Sequence, residues 1–180
     1  VSAEAVKPIP KEYIDSLIDV RRQEALTSMP ERICWCQACK VNRQIVGTIT
    51  SFSLELLGIK LLPPIEHGKP ETGGKPCDIR DVRLCRSCIA KLVAMIQAGL
   101  IQPHQVALEI TRDYSKTSEN HGFPMVTAHR LLITDASGAV HTFKEFCQTP
   151  GLPNWCRKKW SLSTIIATGK EEYVASSIYE

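Results

Sequence analysis

The spacing of apolar positions changes along the chain and divides it into elements. From Pro10 to about Leu26, Tyr13, Ile14, Leu17 and Ile18 fall on one stripe, with Asp15, Asp19, Arg22 and Glu24 opposite. That pattern predicts an amphipathic helix over 10–26, opened by Pro10 and closed before Pro30, because proline disfavours helical geometry in the preceding residue. The β-branched stretch from Gln44 predicts a strand, and Ser51–Leu57 fits strand or short helix equally. Pro63 to Pro76 is rich in proline and glycine and predicts a loop, followed by a short strand over Ile79–Leu84. Ile89, Leu92, Val93 and Ile96 sit at i, i+3, i+4 and i+7, a clear helix that Gly99 is placed to stop. Pro103 then opens a second predicted helix to about Tyr114, with Val106, Ile110 and Tyr114 on one side, giving a helical hairpin. A polar loop over 115–124 precedes two strands, Val126–Thr134 and Ala139–Phe146, folded about Asp135-Ala136-Ser137-Gly138. From Asn154 onward, Trp160, Leu162, Thr164 and Ile166 alternate as in a strand, while Trp155, Leu162 and Ile166 suit a helix.

These elements predict an α+β fold in three segments: an N-terminal helix in 1–30, a cysteine-rich module in 31–100, and a helix with a β-hairpin in 101–180. The length, 180 residues, is that of one domain or one domain with a small module. No apolar run approaches the ~18 residues of a membrane span. Val1 to Pro10 contains Glu4, Lys7 and two prolines, unlike a signal peptide, so the expected location is intracellular, in cytoplasm or nucleus/nucleoid.

Charge changes this picture in one place. The formal net charge is +3. Residues 1–33 carry five basic and six acidic side chains, residues 34–101 nine and five, and residues 102–180 eight and eight. The basic excess therefore lies in the cysteine-rich segment. Four thiolates on one Zn²⁺ would add −2 there, leaving little charge for sequence-independent nucleic-acid binding.

Six of the eight cysteines lie between Cys34 and Cys88. Cys36-Gln-Ala-Cys39 and Cys85-Arg-Ser-Cys88 are two Cys-x-x-Cys pairs, and two intervening residues let a tight turn aim both sulfurs at one ion. The loop at 63–76 accounts for much of the separation between the pairs, and loop length costs closure entropy only slowly. The pattern predicts one structural Zn²⁺ on Cys36, Cys39, Cys85 and Cys88, set against buried free thiols, a disulfide framework or an iron–sulfur cluster. The start of the predicted helix would favour the Cys85 and Cys88 thiolates. Cys34 or Cys77 could exchange with one of the four or bind a second ion with His67; Cys147, Cys156 and His141 form another conceivable site.

Over about residues 33–99 the sequence resembles a treble-clef zinc finger, in which a Cys-x-x-Cys knuckle and a β-hairpin precede a Cys-x-x-Cys that opens a helix. Val82-Arg83-Leu84-Cys85-Arg86-Ser87-Cys88-Ile89-Ala90-Lys91-Leu92 is similar to its closing half. The first knuckle departs from the family in lacking its proline and glycine and in carrying Cys34 close by. The resemblance implies a structural metal and a partner-binding role, with DNA, RNA, lipid and protein all among the family's partners.

Catalytic readings fit less well. Cys34-Trp35 resembles the nucleophile pair of papain-like cysteine proteases, with His121, His129 and His141 downstream as bases, but Glu31-Arg32-Ile33 replaces the small residues expected before it. Glu31, Glu55 and Glu66 lack the His-x-Glu partner of a zinc deaminase, and four cysteines close the coordination sphere. Gly73-Gly74-Lys75 is too short for a phosphate loop and runs into Pro76. The expectation is a non-enzyme.

Two basic clusters could meet a partner. One is Trp155-Cys156-Arg157-Lys158-Lys159-Trp160, where cations between tryptophans suit phosphates and bases, or else the tryptophans are core under a charged cover. The other surrounds the cysteines: Lys40, Arg43, Arg83, Arg86 and Lys91. The apolar face of helix 10–26 belongs to the core or to a homodimer. The leading expectation is a zinc-stabilised regulatory or adaptor protein binding nucleic acid or a transcription-type complex. A protein-only module, as subunit or inhibitor of a larger complex, is the second reading.

Overall fold

The computed structural model describes residues 7–18, 34–36, 38–39, 42–43, 47–49, 51–63, 65–68, 82–117 and 124–179. The first helix is shorter than its periodicity suggests. After β1 (Ile9–Pro10), α1 covers only Lys11–Ser16, Leu17 caps it, and Ile18 already forms a β-bridge with Ile49. Of the apolar stripe, Ile14, Leu17 and Ile18 are buried inside the chain and Tyr13 is exposed. Residues 19–26 of the predicted helix lie outside the described residues.

Two short antiparallel pairs frame the cysteines. β2 (Cys34–Trp35) pairs with β3 (Asn42–Arg43), and β4 (Gly47–Ile49) pairs with β7 (Val82–Leu84). Between β4 and β7, α2 (Ser51–Leu56) settles the ambiguous stretch as helix. It is followed by β5 (Lys60–Leu61) and β6 (Ile65–His67), the latter a strand inside the predicted loop. β6 forms there because its backbone finds partners in parallel register, Ile65–His67 opposite Thr111–Asp113.

Helix α3 (Arg86–Gln97) is the predicted one, extended by a turn at its start. Ile89, Leu92 and Val93 are buried, and Ala90 and Ala94 widen the buried face with side chains small enough for close packing. Its end is a Schellman motif: Gly99 has φ +73°, its N–H donates to the Ile96 carbonyl, and the Leu100 N–H donates to Met95. Gly58 ends α2 in the same way.

The predicted second helix is instead a 3₁₀ turn (Pro103–Gln105) and the long strand β8 (Val106–Thr117), so there is no helical hairpin here. Val106, Ile110 and Tyr114 are four residues apart, a spacing that fits one helix face and also one strand face. Fully buried Val106 and Leu108 alternate with half-buried Ala107 and Glu109, and that two-residue period decides for the strand. β8 pairs antiparallel with β9 (Pro124–Thr134), which pairs with β10 (Val140–Thr142). The hairpin about 135–138 is as expected, but its second strand stops at Thr142. There Thr142 and Glu145 exchange hydrogen bonds in a capping box at 3.3 Å each and open α4 (Phe143–Cys147). A 3₁₀ turn (Asn154–Cys156) leads into β11 (Lys158–Ile165), which pairs with β12 (Lys170–Tyr179), and β12 takes β1 on its other side. β11 also packs on α3.

One buried cluster runs from Ile9 to Tyr173 and draws on all three predicted segments. The fold is α+β, with antiparallel sheets and a cysteine cluster. Among the described residues, no helix is long and apolar enough to cross a membrane.

Candidate metal centre

The two Cys-x-x-Cys pairs arrive at one place by different routes. Cys36 and Cys39 sit in the connection between β2 and β3. Cys85 follows β7 directly and is the N-cap of α3 in extended geometry, with Cys88 in the first turn of that helix. Pairing of β4 with β7 returns the chain from the first pair to the second.

All four sulfurs lie within 4.8 Å of one another. A regular tetrahedron with ~2.3 Å zinc–sulfur bonds has edges of ~3.8 Å, and the Cys39 Sγ to Cys85 Sγ distance is 4.0 Å. The Cys85 backbone N–H donates to Cys36 Sγ at 3.3 Å, an amide dipole that favours the thiolate form of that sulfur. Cys36, Cys85 and Cys88 are buried and Cys39 is half-buried. The donors are soft and converge, so the cluster can hold one metal ion.

Crowding splits the thiols electrostatically. The neighbouring Cys39 acts to raise the Cys36 pKa, but hydrogen bonds from Cys85 and Cys88 prevail and lower it to about 7. Cys85 and Cys88 are pushed well up, first by their contacts with Cys36 and next by those with Cys39.

The surrounding cations are used differently from one another. Arg86 donates through Nε and Nη2 to Asp15 Oδ1 at 3.1 and 3.0 Å, and Lys11 holds the other Asp15 oxygen at 2.7 Å. This network pins α1 to the start of α3. Burial of the Asp15 carboxyl works to raise its pKa, but Lys11 and Arg86 together bring it below the usual value. Arg83 stands in β7 opposite Thr48, and Lys40 lies outside the described residues. Lys91 and Arg157 meet at a cavity of about 340 Å³ whose wall includes Cys39 and Cys88. Lys159 is exposed and Lys158 half-buried.

Trp160 corrects the predicted grip on bases. It is 1% exposed and meets the buried Trp155 edge to face at 5.7 Å between ring centres. Both rings are core, and a base cannot stack on Trp160. Its Nε1 finds no hydrogen-bond partner among the described residues.

The second-site readings do not come together among the described residues, where the four cysteines form the single metal-compatible group. His67 lies in β6 and is exposed; Cys77 is outside the described residues; Cys34 stands in β2 opposite Arg43. His141 Nε2 is 2.7 Å from Asp135 Oδ2, closing the β9–β10 turn rather than joining Cys147 or Cys156. Asp135 also accepts from Ser137 N, Ser137 Oγ and Ala139 N, and these bonds, Ser137 first and His141 next, hold its carboxyl well below the usual range. Of the bases proposed for Cys34, His129 stands in β9 opposite Ile110, and His121 is outside the described residues.

Sequence reasoning missed the far wall of the cavity, where Phe143, Lys144, Cys147 and Gln148 face the cysteines. The signal was present in Thr142-Phe-Lys-Glu145, the pattern of a capping box that starts a helix. No family model, curated protein or solved structure matches the chain.

Proposed function

We propose that the chain is a zinc-stabilised regulatory or adaptor protein, with one structural Zn²⁺ on Cys36, Cys39, Cys85 and Cys88. The observation that carries this reading is the convergence of four sulfurs to within 4.8 Å, with an amide N–H already on one of them. Four thiolates satisfy tetrahedral zinc and leave no position for substrate, so the ion's role is folding rather than catalysis. A knuckle between β2 and β3, the β4–β7 pair and a helix opened by Cys85 and Cys88 are the parts of a treble-clef arrangement, and we read the site as one.

The partner in this reading is nucleic acid or a nucleoprotein complex, met through Lys91, Arg157 and Lys159. A protein-only partner is the second reading, favoured by two facts: Trp160 is buried and Arg86 is committed to Asp15. Native mass spectrometry of the purified chain should find one zinc, lost in Cys36→Ser and Cys88→Ser. A well-folded, metal-free chain would sink the zinc reading. A gel-shift series across salt separates the partners: retardation near ~50 mM salt that fades as salt rises supports nucleic acid, and its absence in zinc-loaded protein leaves the protein-only reading.

A further inference from the structure

The cavity beside the cysteine cluster has a composition that metal binding does not require. Lys91 reaches it from α3, Lys144 from α4 and Arg157 from the turn before β11, and among the described residues no carboxylate lines it. Lys91 is one helical turn beyond Cys88, so the helix that brings the sulfur also brings the cation. Arg157 is oriented by an Nη2 hydrogen bond to the Thr149 carbonyl at 3.0 Å, which leaves other guanidinium donors for a ligand. Among the described residues neither Lys91 nor Lys144 has an ion-pair partner, whereas Lys11 and Arg86 do.

One role for these cations is to offset the metal site. A tetrathiolate zinc centre carries −2, which Lys91 and Arg157 would balance. Lys144 is then surplus, and the described lining keeps a net +1 with three cationic side chains from three elements. About 340 Å³ is within the range of small-molecule sites and is more room than a bare five-atom phosphate fills. Phe143 and Ala38 supply apolar wall, and Gln148 a neutral donor and acceptor.

We propose that this cavity binds a phosphomonoester: the phosphoryl group is held by Lys91, Lys144 and Arg157, and its organic body lies against Phe143 and Ala38. A dianion with three equivalent oxygens matches three cations from three elements, where a single carboxylate would leave a cation unanswered. A free mononucleotide and the 5′-phosphate end of a nucleic-acid strand share this chemistry. The charge sum rests on the zinc reading; the binding site itself does not.

The test is calorimetric titration of the full chain with AMP, adenosine, and an oligothymidylate carrying either a 5′-phosphate or a 5′-hydroxyl, with zinc content measured on the same sample. AMP or the 5′-phosphorylated strand should bind, and adenosine and the 5′-hydroxyl strand should be weaker by about tenfold or more, the size of one charged hydrogen bond. The tighter of the two phosphate ligands identifies the source. Lys144→Gln, at an exposed position, and Lys91→Gln should each weaken binding about tenfold while circular dichroism stays unchanged. Absence of phosphate-ligand binding up to ~10 mM, equal binding of AMP and adenosine, or indifference to Lys144→Gln in folded protein would each overturn the proposal. A metal-free chain that still binds AMP would defeat the zinc reading alone.

Discussion

Among the described residues two groups of cysteines stand apart, one converging on a common point and one packed in the core. Cys36, Cys39, Cys85 and Cys88 converge on a common point, Cys36 accepts an amide N–H, and Cys85 and Cys88 open a twelve-residue helix. Cys147 and Cys156 are buried, but they sit on α4 and the 3₁₀ turn before β11, packed with Phe143, Phe146 and Trp155. Burial pushes the Cys147 thiol up to about 11. Burial again, with the nearby Cys147, pushes Cys156 up to about 12. Burial alone makes cysteine a small hydrophobe that keeps its proton; convergence on polar donors makes it a ligand.

The largest expected effect separates the two groups directly. Cys88→Ser, or removal of the ion with a strong chelator, should abolish cooperative thermal unfolding of the cysteine-rich half, since structural zinc supplies about 10–16 kcal/mol in small domains. Cys156→Ala should leave the metal in place and lower stability by only about 1–2 kcal/mol, read from denaturant midpoints. Equal losses in the two variants would erase the distinction.

A middle-sized effect concerns pH. A thiol pKa raised on folding gives stability that is complete below the unfolded value near 9 and is lost as pH rises through the folded value. The chain should therefore lose stability between about pH 9 and pH 12, and Cys147→Ala should flatten that decline without changing zinc content. Thr142→Ala, which removes the α4 cap below the same cysteine, should cost about 1 kcal/mol.

The smallest effect lies on the ligand side. Asp15→Asn breaks the Lys11–Asp15–Arg86 network, and its partial exposure limits the loss to about 0.5–1 kcal/mol. Because the Asp15 pKa is lowered on folding, its contribution is present above the unfolded value near 3.8 and disappears as pH falls through the folded value. Denaturation midpoints that fall alike with acid in wild type and Asp15→Asn would exclude that contribution.

The contrast between the groups also shows what a linear sequence exposes. The quartet was legible because two residues between cysteines restrict where both sulfurs can point, and that constraint survives a long insertion. Helix α3 was legible because the eight positions from Ile89 to Ile96 carry one unambiguous period. The strand β8 was not, since Val106, Ile110 and Tyr114 satisfy both periods, and its pairing partners lie distant in sequence. The Trp155–Trp160 cluster left two readings open for a related reason: composition records cations and aromatic rings, and only the structure shows that both rings turn inward. The cavity needed three elements far apart in sequence, so only its capping-box wall left a local trace.

The pairing of β1 with β12 sets a timetable. Ile9 waits for Tyr173, whereas the four cysteines of the cluster are complete once Cys88 is made. Those 85 residues take about 4–17 seconds to synthesise at 5–20 residues per second. For that interval the cysteine cluster can close on an ion while β1 has no strand to join. If the cluster takes the Zn²⁺ proposed above, the order of assembly is metal centre first and sheet edge last, and a ribosome stalled between the two would display a chain whose cysteines already hold the ion.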